Sequence, residues 1–206
     1  MLVVVGIIAF VSSVMIFNYS DFSSNVSLRN LTQEVALSVR KAQTYATSVR
    51  PIEGLQGLTS RAFGSYGISF SLDGTTEEYL PNPKKFVLFA DIPPVAQTPD
   101  GLYLHTTGAC GNPETFESEC IETFGITTAD KIVELCGQIG NGNEDCTTRG
   151  NLDITYRRPN PDAVIYYRTT PNSAPKLSPY AKIILESAKG LRRSVTVWNT
   201  GQISVQ

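Results

Sequence analysis

The sequence predicts an α+β fold: one long N-terminal helix, apolar in its first half and amphipathic in its second, packed on an antiparallel β-sheet domain. Three observations lead there. Of the 17 Lys and Arg and 19 Asp and Glu in the 206 residues, only Asp21 precedes Arg29. Apolar residues then recur at three- and four-residue steps as far as Ala46, and from Tyr66 onward the period shortens to the alternation of strands. A helix followed by a run of strands, with no helical crossovers between them, is the α+β pattern.

The helix comes first. Residues 1–17 read MLVVVGIIAFVSSVMIF, uncharged and apolar all round, with Ser12 and Ser13 able to bond back to helix carbonyls. Leu2, Val3, Val4, Val5, Ile7, Ile8, Phe10, Val11 and Ile16 are its candidate membrane or assembly face. Seventeen residues give about 25 Å of helix, short of the roughly 30 Å of a hydrocarbon layer. No basic stretch precedes the run, so it reads as a retained anchor rather than a cleaved signal. Leu28, Leu31, Val35, Val39, Ala42 and Ala46 then form one stripe, the candidate face for packing on the sheet. Neither Pro nor Gly interrupts the chain between Gly6 and Pro51, so a helix entered at Leu2 is expected to run to about Val49. Residues 19–27, YSDFSSNVS, are the expected weak point, because Ser, Asp and Asn compete for backbone groups.

Strands are expected at 66–72, 85–90, 102–105, 131–135, 153–156, 164–168, 181–186, 194–198 and 202–205. Asp73-Gly74, Pro93-Pro94, Asp100-Gly101, Asn160-Pro161, Lys189-Gly190 and Asn199-Thr200-Gly201 separate them, and the expected arrangement is an antiparallel meander. Two regions follow: residues 1–50, the N-terminal helix with its membrane-anchor start, and residues 51–206, an extracytoplasmic β domain with a cysteine-containing loop region at about 106–150.

Cys110, Cys120, Cys136 and Cys146 lie in that region at spacings that include no C-x2-C knuckle, which argues against zinc. Disulfides are expected instead, with an oxidising location. Of three pairings, Cys110 with Cys120 and Cys136 with Cys146 are preferred because each closes a short local loop. The single histidine, His105, offers no metal cluster and has no evident Ser and Asp partners for nucleophilic catalysis. Asn141, Asn143, Glu144 and Asp145 do not follow the spacing of a calcium loop. Tyr166, Tyr167 and Trp198 read as sheet packing rather than a sugar platform. A formal charge of −2 disfavours a general nucleic-acid binder, which needs a cationic face. Arg157, Arg158, Arg192 and Arg193 remain the candidate DNA contacts, although solvated strand and turn charges account for them better.

Several of these strings resemble type IV pilin-like proteins, and within them the minor pseudopilins of GspH/FimT type. MLVVVGII at the start, the helix portion with Arg40-Lys41-Ala42-Gln43 and Ala46, YGISF at 66–70, FVLFAD at 86–91, DITYRRP at 153–159 and LRRSVTV at 191–197 followed by Gly201-Gln202-Ile203 carry the likeness, while the cysteine region looks like an insertion. The family's leader, with its Gly cleavage point, and the Phe and Glu of the mature start are not in the sequence, so a truncated leader ahead of Met1 is expected. The resemblance implies a structural subunit without catalysis or cofactor. Such a subunit sits first in the cytoplasmic membrane with its β domain outside. It then polymerises through its N-terminal helix into a type IV pilus or a type II secretion pseudopilus. Implied partners are other pilin or pseudopilin subunits, the inner-membrane assembly platform, a prepilin peptidase and, before assembly, membrane lipid. The alternative is a pilus-associated DNA-binding or adhesive minor pilin, with DNA not favoured.

Overall fold

A computed structural model describes residues 2–48, 65–72, 83–92, 100–103, 110, 119–138, 140, 142–170 and 173–206. The protein is α+β, with one helix among the described residues and an antiparallel body rich in strands. Helix α1, Leu2–Thr47, runs unbroken through residues 19–27, where loosening was expected. Polar side chains there bond along the helix or to the body instead of opening it. Asn25 Nδ2 donates to the Asp21 carbonyl at 3.3 Å, and Ser27 Oγ donates to Asp130 Oδ2 at 2.5 Å. The expected helix stop near Val49 and Pro51 lies outside the described residues.

Among the described residues eleven strands follow, in two sheets rather than the single meander expected. The first contains β1 (Ser65–Ser71), β2 (Lys85–Asp91), β3 (Cys120–Gly125), β6 (Asn151–Tyr156), β7 (Ala163–Arg168) and β8 (Lys176–Leu177), in the order β3-β2-β1-β6-β7-β8. The second contains β4 (Lys131–Gln138), β5 (Glu144–Thr147), β9 (Tyr180–Glu186), β10 (Arg192–Trp198) and β11 (Ile203–Val205), in the order β11-β10-β9-β4-β5. All neighbours are antiparallel. The meander fails because β1 sits between β2 and β6, and β4 between β9 and β5. Those long-range pairings depend on burial of both partners and leave no local sequence mark. Leu102 and Tyr103 are not in a strand; the rest of that expected strand, with Asp73-Gly74 and Pro93-Pro94, lies outside the described residues.

Leu28, Leu31, Val35, Val39, Ala42 and Ala46 are buried and share one core with residues from both sheets, among them Ile68, Phe70, Ile154, Tyr156, Ile183, Leu185, Val195 and Val197. Tyr45 meets Tyr66 edge-on, with ring centroids 5.7 Å apart. Burying each Leu or Val contributes about 1.5–3 kcal/mol before chain entropy is counted. Polar bonds hold the same helix half in place. Gln43 Nε2 reaches the carbonyls of Pro161 (3.1 Å) and Gly201 (3.3 Å), and Lys41 pairs with Glu122 at 2.5 Å. Gly201 has φ +80°, and a Cβ there would collide with the Pro161 carbonyl, so the turn requires glycine.

Candidate functional site

The candidate site is the solvent-facing side of α1. Val3, Val4, Val5, Ile7 and Phe10 are exposed, and Phe22 (68%), Val26 and Leu37 (67%) stay exposed beside the body. At about 100° per residue, Val4, Ile7, Phe22, Val26 and Leu37 fall within an arc of roughly 120°. The buried residues from Leu28 to Ala46 occupy the other side of the wheel. Asn25, Arg29 and Gln33 are exposed within the same arc, so the uncovered apolar surface is a cluster at Val3 to Phe10 and separate side chains, Phe22, Val26 and Leu37, beside the body. Leu2, Ile8, Val11 and Ile16 lie on the same helix, their side chains outside the described residues. Among the described side chains, body contact begins at Asp21, which pairs with Lys189, and becomes apolar at Leu28.

Among the described residues no helix is long and apolar enough to cross a membrane. The expected transmembrane helix is thus not carried by them. Its apolar run ends at Phe17, before Asn18, Ser20 and Asp21.

The four candidate DNA-contact arginines are divided between the sheets. Arg157 and Arg158 follow β6, and Arg157 lies 3.7 Å from Asp91. Arg192 and Arg193 open β10, where Arg192 binds Glu186 at 2.8 Å and Glu134 at 3.0 Å. The hydrogen bond to Arg192 in turn holds the Glu186 carboxyl below its ordinary range. Arg157 and Arg192 are thus already neutralised within the chain, which leaves less free charge for phosphate.

Two disulfides join Cys110 to Cys120 and Cys136 to Cys146. The second links directly opposed residues of β4 and β5. Beside it Glu144 accepts from Lys182 Nζ (3.0 Å) and Tyr180 Oη (3.0 Å), and Tyr180 rests against Trp198 with centroids 5.3 Å apart. Burial, reinforced by the Glu144 carboxylate, pushes the Tyr180 phenol up to about 12. Among the described residues, Glu134, Cys136 and Cys146 alone bring three metal-ligating groups together. Both sulfurs are tied in the disulfide and Glu134 is held by Arg192, so the set offers no thiolate. His105 and Asn141 lie outside the described residues.

A buried polar layer on the six-stranded sheet was not foreseen. Register places Ser69 beside Asp153, and Gly67 between Thr155 and Phe89, on the side of β1 opposite Tyr66, Ile68 and Phe70. Residues 100–103 lie across this layer. Gly101 donates its N–H to Asp91 Oδ2 (2.9 Å), Thr155 Oγ1 donates to the Gly101 carbonyl (2.8 Å), and the Tyr103 ring leans at a tilt on Phe89, with centroids 5.1 Å apart. Burial pushes Asp91 up to about 6 and Asp153 up to about 7; hydrogen bonds from Ser69 and the Tyr103 backbone, and the charge of Arg168, offset only part of the effect at Asp153. The available signal was Ser69, Asp153 and Thr155 at alternate positions of apolar strands, which marks a polar sheet face.

Comparison with protein-family models, curated proteins and solved structures finds no match to this chain.

Proposed function

We propose that the protein is a pilin-like structural subunit, of the GspH/FimT-type minor pseudopilin kind, that assembles through its N-terminal helix and catalyses no reaction. The observation that carries this reading is the exposed apolar surface of α1, at Val3, Val4, Val5, Ile7 and Phe10 ahead of the body and at Phe22, Val26 and Leu37 beside it. An exposed row of Val, Ile and Phe on a rigid helix is costly in water and becomes favourable when like helices bury it. In this reading the first half of α1 is the shared filament core, the second half fastens that core to the sheets, and the β domain faces outward. Before assembly the same segment holds the subunit at the cytoplasmic membrane with its disulfides on the oxidising side. The pairing of Arg157 and Arg192 with carboxylates supports a structural role over the DNA-binding alternative.

Val5→Asp tests it in the native host. Filament or pseudopilus incorporation, read by shearing and immunoblotting, should be lost while the β domain stays folded. Normal incorporation of a stably produced Val5→Asp chain, or a native protein found only as dispersed copies, would sink the reading.

A further inference from the structure

The layer beneath residues 100–103 contains an acceptor and a donor that do not meet. Asp153 Oδ1 is buried with no hydrogen-bond partner, and so is Nε of Arg168. These two residues share a side of the sheet, since Asp153 pairs with Tyr166 and Asn151 with Arg168 across β6 and β7. Asp153 is therefore held by one oxygen, through Ser69 and the Tyr103 N–H. The charged groups facing it are Arg168 on β7 and Asp100 on the overlying segment. Those facing Asp91 are Asp100 again and Arg157 beyond β6. Gly101, with φ +83°, makes the bend that lets its N–H and carbonyl reach Asp91 and Thr155 together.

We infer that residues 100–103 form a base-released latch, closed on the six-stranded sheet while Asp153 keeps its proton and loosened when that carboxyl ionises. Ionisation strengthens the bonds from Ser69 and the Tyr103 N–H, but burial of a carboxylate with one bare oxygen beside another aspartate outweighs them, and lifting the segment is the motion that admits water. Because the folded chain holds the proton more tightly than the unfolded chain, the stabilisation is complete below the ordinary aspartate range and is lost as pH rises through neutrality.

Hydrogen exchange of the Gly101 and Tyr103 amides, corrected for intrinsic base catalysis, tests the latch in the intact chain. From about pH 5 to about pH 8.5 their protection should fall roughly tenfold or more, and Asp153→Asn should flatten that fall. Protection independent of pH in the wild type, or an equal fall in Asp153→Asn, would overturn the proposal. If Asp153→Asn does not fold, the Asp153 carboxyl carbon is titrated by NMR in the wild type. A midpoint at or above about 6 supports the latch, and one near the ordinary aspartate value of about 3.9 refutes it.

Discussion

Ahead of Asp21, α1 exposes Val3, Val4, Val5, Ile7 and Phe10; beyond Leu28 it buries Leu28, Val35, Val39 and Ala42 completely. Both halves are rich in the same aliphatic residues. What differs is the periodicity and the presence of a partner inside the chain. The second half gathers most of its apolar residues on one side, which two sheets cover, and leaves Leu37 exposed on the other. The first half is apolar all round, so no single folded surface of this chain would satisfy it. Apolar content alone thus does not say what a helix packs against, whereas its angular distribution does.

Substitutions in the two halves should accordingly separate stability from association. The largest loss of stability is expected from Leu28→Ala, about 2–5 kcal/mol by denaturant unfolding, because a fully buried side chain is removed between helix and sheets. Next comes removal of the Cys136–Cys146 bond by a Cys136→Ser, Cys146→Ser double change. A loss of about 2–3 kcal/mol is expected from the freed loop, read as a lower denaturant midpoint. Lys189→Ala breaks an exposed pair with Asp21 and should cost under about 1 kcal/mol, diminishing further as salt is added. Val5→Asp should leave the unfolding midpoint unchanged while abolishing assembly, since the side chain touches solvent in the subunit. A Val5→Asp change that destabilised the body as much as Leu28→Ala would erase the contrast between the halves.

The helix, its packed stripe and the strands at β1, β2, β6, β7, β9 and β10 were legible because each rests on local period and on the Gly, Pro and Asn between segments. β3, β5 and β8 were not. Cys120-Ile121-Glu122-Thr123-Phe124 mixes exposed and half-buried positions at a sheet edge, and β8 has only Lys176 and Leu177. The division into two sheets was hidden for another reason: pairing β1 with β6 and β4 with β9 joins segments far apart in the chain. The exposed residues Phe22, Val26 and Leu37 were missed because helix periodicity was used to find the buried side, and their role depends on what lies on the other. Asp91 and Asp153 were taken as strand ends or boundaries, and only the register of β1 with its two neighbours shows that they sit beneath a covering segment.

The absence of a break between Asp21 and Leu28 makes α1 a shaft with a fixed phase. One residue inserted there would turn the tip about 100° relative to the body, whereas seven would bring it back to within roughly 20° of its starting angle. Any array built on that tip would thereby set which edge of the two sheets looks outward, so the length of this short polar stretch would govern the orientation of the domain as strictly as any contact made by the domain itself.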